Sequence, residues 1–195
     1  MGWYKRAQED HYEFYHGTDS PPFDTFNPEE ATKGDRHYNP LGDAMYVTDK
    51  EDFARFFGKN VLPVRIPKGA KIKRIYPSVV QSALESIIKK ALKQVGIDYW
   101  KGTSISFKVQ LGKLFKYYSP YESMMEALAL VQIEFPNIAE TFPDAITFQA
   151  NRKFSKFDVV MFMDTYDPNA IYIGSTPTKE ILIFNKDMQR IFQSH

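Results

Sequence analysis

Apolar positions recur along almost the whole chain, and their period changes from two to between three and four and back again. Residues 12–16, Tyr-Glu-Phe-Tyr-His, read as a strand that Gly17 stops. Residues 19–42 are polar and contain prolines, too irregular for a long element. Residues 44–47 predict a second short strand. Thr48 or Asp49 is then a candidate cap for a helix in which Phe53, Phe56 and Phe57 share one face and which Gly58 ends. A third strand follows at 61–66, and Pro63 within it favours a sheet edge or a bulge.

The middle of the chain has helical spacing. Ser78 and Gln81 form a capping-box pattern ahead of Val80, Ala83, Leu84, Ile87, Ile88, Ala91, Leu92 and Val95, with Gly96 as the stop. Ile105, Phe107, Val109 and Leu111 alternate with other residues, the pattern of a half-buried strand. Ser119, Pro120 and Glu122 then open a helix that carries Met124, Met125, Leu128, Val131 and Ile133 up to Pro136. Strands return at 158–163, 170–173 and 180–184. Strands, then helices, then strands indicate an α+β domain rather than a doubly wound sheet. The expectation is one domain over 1–195, with a largely helical, basic insertion at about 68–152.

Composition narrows the chemistry. At 43% hydrophobic and 25% charged residues, the chain has enough apolar material for a packed core, so general disorder is not expected. There is no cysteine, which excludes disulfides, thiolate metal sites and a cysteine nucleophile. The longest apolar runs are too short to span a bilayer, and the first residues lack the apolar stretch of a signal peptide. A soluble cytoplasmic protein with no membrane partner is expected, whose site of action lies in a target cell if it is a delivered toxin. The net charge of +1 is unevenly spread: residues 65–116 hold twelve Lys or Arg against Glu85 and Asp98, an excess of +10 that leaves −9 for the remainder. Such a segment is either a solvated face or a surface for phosphate.

Several catalytic patterns are missing from the sequence: a phosphate-binding loop, a dinucleotide-fold glycine fingerprint, a Gly-x-Ser-x-Gly elbow and a His-Glu-x-x-His helix. His11, His16, His37 and His195 are not spaced as metal ligands. Asp158, Asp164 and Asp167 read better as parts of a strand end and turn, so no metal is expected. What stands out is a scattered trio at strand edges: Tyr15-His16-Gly17-Thr18; Gly42 to Asp49 with Tyr46 at its centre, running into the Phe-rich helix; and Glu180 opening the last apolar run.

In this order and local setting the trio resembles the His-Tyr-Glu class of ADP-ribosyltransferases, which includes diphtheria toxin and the poly(ADP-ribose) polymerases. The resemblance covers roughly the first third and last fifth of the chain, and leaves about 68–152 unmatched. Ala44 stands where the polymerases often carry a second glycine. The resemblance implies an ADP-ribosyltransferase-like split β-sheet core, NAD as substrate and no metal. Glu180 would bind the 2′-hydroxyl of the nicotinamide ribose, and Tyr46 would stack on nicotinamide. His16 would hold the adenosine-side ribose, and the Gly17 backbone would pair with the nicotinamide amide. Thr18 would assist in the same cleft, and Phe56 or Phe57 is a candidate second aromatic wall, with core packing the alternative reading of both. In that chemistry a carboxylate favours the oxocarbenium-like ribose formed as nicotinamide leaves.

The expected function is mono-ADP-ribosylation of a macromolecular acceptor, protein or nucleic acid, by a toxin or effector; the 65–116 segment keeps nucleic acid open. Arginine-modifying relatives usually carry a second Glu two residues before the catalytic one, where this chain has Thr178. NAD hydrolysis and non-catalytic binding of NAD or ADP-ribose are the alternatives.

Overall fold

The computed structural model describes residues 10–27, 39–165, 174 and 177–192. It shows an α+β chain with one open mixed sheet. The chain divides into two compact units: Met1–Pro28, Ala44–Arg74 and Phe157–His195 form the first, and Glu29–Asp43 with Ile75–Lys156 the second.

The first unit is built on strands β1 (His11–Thr18), β2 (Met45–Thr48), β3 (Asn60–Pro67), β4 (Ile72–Ile75), β5 (Val159–Thr165) and β6 (Thr178–Ile183), in the spatial order β3-β1-β2-β6-β5-β4. β1 pairs with β3 along all eight residues, whereas among the described residues it meets β2 at one rung, Tyr15 opposite Thr48. One face of the sheet carries a core cluster, Phe14, Met45, Val47, Val64, Ile66, Val159, Met161, Ile181 and Ile183, while Val160, Phe162 and Leu182 are buried on the other face. The cluster residues alternate along their strands, so period-two patterning produces that face directly. Pro63 lies in edge strand β3, where a residue without an N–H is tolerated, and its carbonyl accepts from Phe192 N.

A short helix α1 (Glu51–Ala54) and a 3-10 turn (Arg55–Phe57) follow β2. Neither Thr48 nor Asp49 caps α1. Its N-cap is Lys50, whose ammonium has no acceptor for a cap bond, and the Asp49 carboxylate is engaged by Thr178 and Lys179.

The second unit is helical: α2 (Pro77–Gln94), α3 (Ile105–Tyr117), α4 (Pro120–Glu134) and α5 (Phe142–Phe154). α2 starts two residues earlier than the capping pattern suggests. Tyr76 is its N-cap, and Pro77 takes the first helical position, which suits a fixed φ and a missing N–H. Gly96, at φ 90°, follows the end of α2. Ser119 is the backbone N-cap of α4 as expected, although its hydroxyl makes no cap bond.

The strand expected at 105–111 is instead the start of α3. Ser104 caps it by accepting from Phe107 N at 3.0 Å. Phe107 and Leu111, four apart, are buried, while Ile105 is 81% and Val109 53% exposed. The alternation in sequence was thus two helical faces read as one strand. Asn39 to Asp43 is tied to α5: Asp43 N donates to Asn151 Oδ1 at 2.7 Å, and Thr147 Oγ1 donates to Asn39 O at 2.9 Å. Gly42, at φ 104°, closes this turn in a conformation that favours glycine. Among the described residues no helix is long and apolar enough to cross a membrane. The expected strand at 170–173, His37, Asp167 and His195 lie outside the described residues.

These assignments predict opposite outcomes for two α3 neighbours. Leu111→Ala should cost about 2–4 kcal/mol in chemical unfolding. Val109→Ala should stay within about 0.5 kcal/mol. Equal losses at both positions would contradict the helix.

Candidate active site

The register across the first unit decides which candidate residues share a face. Tyr15 on β1 faces Thr48 on β2, Thr48 faces Glu180 on β6, and Glu180 faces Phe162 on β5. Directly opposed residues point to the same side, so these four form one row across the sheet. Tyr46, opposite Leu182, lies two residues from Thr48 and therefore on that side too. The core cluster occupies the other side, with Val47 opposite Ile181 and Met45 opposite Ile183. Tyr46 and Glu180 are diagonal neighbours on adjacent strands, with backbones roughly 7–8 Å apart. Both are half-buried.

Gly17 belongs to the same face by alternation from Tyr15, and its surroundings explain why it is glycine. A Cβ there would stand 1.9 Å from the Ala54 carbonyl oxygen and 3.1 Å from Phe57 Cβ. The C-terminal end of α1 therefore rests directly on the β1 backbone. Gly58 completes the clasp, since a Cβ on it would meet the Thr18 carbonyl carbon at 2.1 Å. This contact sets Phe57, 48% exposed, on the side of Gly17, Tyr46 and Glu180. The Phe-rich run divides its labour: Phe53 is buried, with the Phe57 ring edge-on to it at 5.1 Å.

His16 alternates to the opposite side. Its ring lies edge-on to Phe23 at 5.8 Å and Phe26 at 5.6 Å, two residues packed against the core cluster. Those phenyl rings are fastened in turn by the end of the chain, where Phe26 N donates to Gln189 O and Ile191 N to Asp24 O, each at 3.0 Å. The imidazole reaches β2 through its Nδ1, 2.8 Å from the Tyr46 carbonyl oxygen. A carbonyl only accepts, so Nδ1 carries the proton and neutral His16 presents Nε2 as an acceptor. Burial pushes the His16 pKa below 6.5, partly opposed by the bond to Tyr46. Thr18 also leaves the Glu180 face, and its Oγ1 accepts from Ser20 N at 3.1 Å.

The start of β6 is held by a directional chain of hydroxyls. Thr178 Oγ1 lies 3.0 Å from Asp49 Oδ1 and 2.9 Å from Thr48 Oγ1. A carboxylate accepts, so Thr178 donates to Asp49, and its oxygen receives the Thr48 proton. Thr48 Oγ1 in turn accepts from Lys50 N at 3.4 Å. Lys179 closes the group, with its N–H 2.8 Å from Asp49 Oδ1 and its Nζ 3.3 Å from Oδ2. In the sequence Asp49 looks like a helix cap and Thr178 lies ahead of the expected strand at 180–184; the network is not legible there because its members are about 130 residues apart.

Beyond Glu180 the pairing of β5 with β6 shifts between Phe162 and Thr165, where Asp164 has φ 53°. Asp164 and Thr165 thus belong to a bulged strand rather than to a turn; bulges re-aim neighbouring side chains. Asp158 is a staple. It accepts from Lys71 N and from Asn185 Nδ2, each at 2.8 Å, and these bonds hold its carboxyl below the usual range. Among the described residues no group of three or more His, Asp or Glu is arranged to hold a metal ion.

The structure therefore brings Gly17, Tyr46, Phe57 and Glu180 to one side of the sheet. It places His16 and Thr18 on the other side, where His16 Nδ1 meets the Tyr46 carbonyl. The basic segment 65–116 is divided between the units: Arg65, Lys68, Lys71, Lys73 and Arg74 belong to the first, and the seven lysines from Lys89 to Lys116 to the second. Comparison with family models, with curated proteins and with solved structures finds no match to this chain.

Two outcomes follow from this geometry. Gly17→Ala should destabilise the protein by about 1–3 kcal/mol through overpacking against the Ala54 carbonyl; an unchanged unfolding midpoint would mean that α1 does not rest on β1. For His16, the folded pKa lies below the unfolded 6.5. Between the two values the unfolded chain binds more protons, so stability from the neutral ring is complete above pH 6.5 and is lost as pH falls through the folded value. Melting temperatures between pH 7.5 and 5 should fall less steeply for His16→Gln than for the parent, and parallel curves would contradict a half-buried neutral imidazole.

Proposed function

We propose that the chain is a mono-ADP-ribosyltransferase that cleaves NAD, releases nicotinamide and transfers ADP-ribose to a macromolecular acceptor. The observation that carries this reading is the shared face of Tyr46, Phe57 and Glu180 beside Gly17. It offers two aromatic rings and a carboxylate near the β1 main chain at Gly17. The nicotinamide ring of NAD is flat and cationic, which suits an aromatic wall. As the C1′–N bond breaks, the electron pair leaves with nicotinamide and positive charge develops on the ribose. An ionised Glu180 beside that sugar stabilises the transition state more than the ground state. An O–H or N–H group of the acceptor then bonds to C1′ and gives up its proton.

His16 supports the same reading from the other side of β1. With Nδ1 donating to the Tyr46 carbonyl, Nε2 is the acceptor that a ribose hydroxyl needs. The position two residues before Glu180 bears on the acceptor. Thr178 is buried and its hydroxyl is committed to Asp49, so no second carboxylate stands there to engage a guanidinium. This favours an acceptor other than arginine.

The test is incubation with NAD tagged on its adenine, following both nicotinamide release and label on added protein or RNA. Glu180→Gln, which keeps the shape and removes the charge, should lower nicotinamide release by roughly two to three powers of ten with little change in NAD binding. Near-parental turnover in that variant would remove Glu180 from the chemistry. Release without any labelled macromolecule would make water the acceptor.

A further inference from the structure

The second unit carries an aromatic and cationic surface that the NAD reading does not use. Tyr99 is buried, while its neighbour Trp100 is 70% exposed; their rings meet edge to face at 5.1 Å. Two lysines from different helices converge on this pair. Lys89 of α2 lies 4.7 Å from the Tyr99 centroid and 4.8 Å from that of Trp100. Lys108 of α3 lies 5.5 and 5.6 Å from the same two centroids.

Two ammonium groups around one ring pair repel each other. The rings offset this in part, as do the Glu85 carboxylate 3.6 Å from Lys89 and the Trp100 carbonyl, which accepts from Lys108 at 3.0 Å. One carboxylate faces two cations, so the cluster retains positive charge. Asp98, the other acid between 65 and 116, accepts from the N–H groups of Trp100 and Lys101, each at 2.8 Å; it shapes the turn that presents the indole. From there α3 continues an exposed row at helical spacing, Ile105, Val109, Lys113 and Lys116, apolar near Trp100 and basic farther on.

We propose that this surface binds single-stranded nucleic acid. A base stacks on the exposed indole of Trp100, a phosphodiester takes the uncompensated charge of Lys89 and Lys108, and the strand continues along Lys113 and Lys116. A base supplies the flat, apolar face that an indole selects, and the phosphate supplies the anion that two converging ammonium groups attract. An acidic peptide would supply charge alone. The site concerns the second unit and does not rest on the NAD reading.

The experiment uses the full chain and a fluorescent twelve-nucleotide single-stranded RNA and its DNA counterpart, with anisotropy measured over a salt series. Binding should weaken steeply with salt. Trp100→Ala should reduce affinity roughly tenfold or more, and Trp100→Phe should recover much of it. Lys89→Gln and Lys108→Gln should each lower the logarithmic salt slope by about 0.7. Circular dichroism should be unchanged for Trp100→Ala, since the ring is exposed. Absence of binding by the parent protein overturns the proposal, as does equal binding by Trp100→Ala. Competition by poly-glutamate as effective as by unlabelled RNA also overturns it, and would make the surface one for acidic protein. Nicotinamide release measured on the same variants keeps the two readings separate: loss of oligonucleotide binding with unchanged NAD cleavage is expected.

Discussion

Four apolar side chains set the register between β2 and β6: Met45 opposite Ile183 and Val47 opposite Ile181, all nearly or wholly out of solvent. A strand shifted by one residue sends each side chain to the other face. In β6 that slip would take Ile181 and Ile183 out of the cluster they pack in and turn the Glu180 carboxylate into it, where desolvation opposes a charge. The Thr48–Thr178–Asp49 chain, with Lys179, fastens the same register by polar contacts two residues before Glu180. Core packing and the position of the carboxylate are therefore one constraint. A substitution that loosens the first would be felt at the second.

β1 answers to a different requirement. It pairs fully with β3 yet touches β2 at one rung, so its place beside Tyr46 rests on other contacts. Gly17 and Gly58 let α1 and its 3-10 turn sit on the strand backbone, and the His16 imidazole takes up the Tyr46 carbonyl. The His-Gly pair thus has a packing role in the fold. That role also fixes the imidazole tautomer, and fills the space of a Gly17 side chain with the Ala54 carbonyl.

The strands were legible from alternation where one face is buried, as at Phe14 with its neighbours and Met45 to Val47, and from a continuous apolar run at Ile181 to Ile183, where both faces are buried. Ile105 to Leu111 shows how the same signal misleads, because i and i+4 in a helix are also two apart in an alternating list. The cap at Ser104 and the continuation to Phe115 carry the helical period. α5 passed unread because its buried face includes Gln149, whose amide is satisfied by Gln94 Oε1 at 2.8 Å. The candidate residues His16, Gly17, Tyr46, Phe57 and Glu180 were visible as types at strand edges. Their faces were not, because those depend on strand pairing between distant segments. For the same reason Asp49 looked like a cap, while its partners lie in β6.

The central claim is that NAD binds on the face shared by Tyr46, Phe57 and Glu180. The most direct measurement is a crystal structure with NAD bound to the Glu180→Gln protein, whose slowed turnover favours trapping the intact dinucleotide. The account predicts the nicotinamide against Tyr46 and Phe57 next to the Gly17 main chain. The nicotinamide ribose should lie at the residue 180 side chain, and a hydroxyl of the other ribose at His16 Nε2. NAD bound elsewhere, with residue 180 away from the nicotinamide ribose, would contradict it.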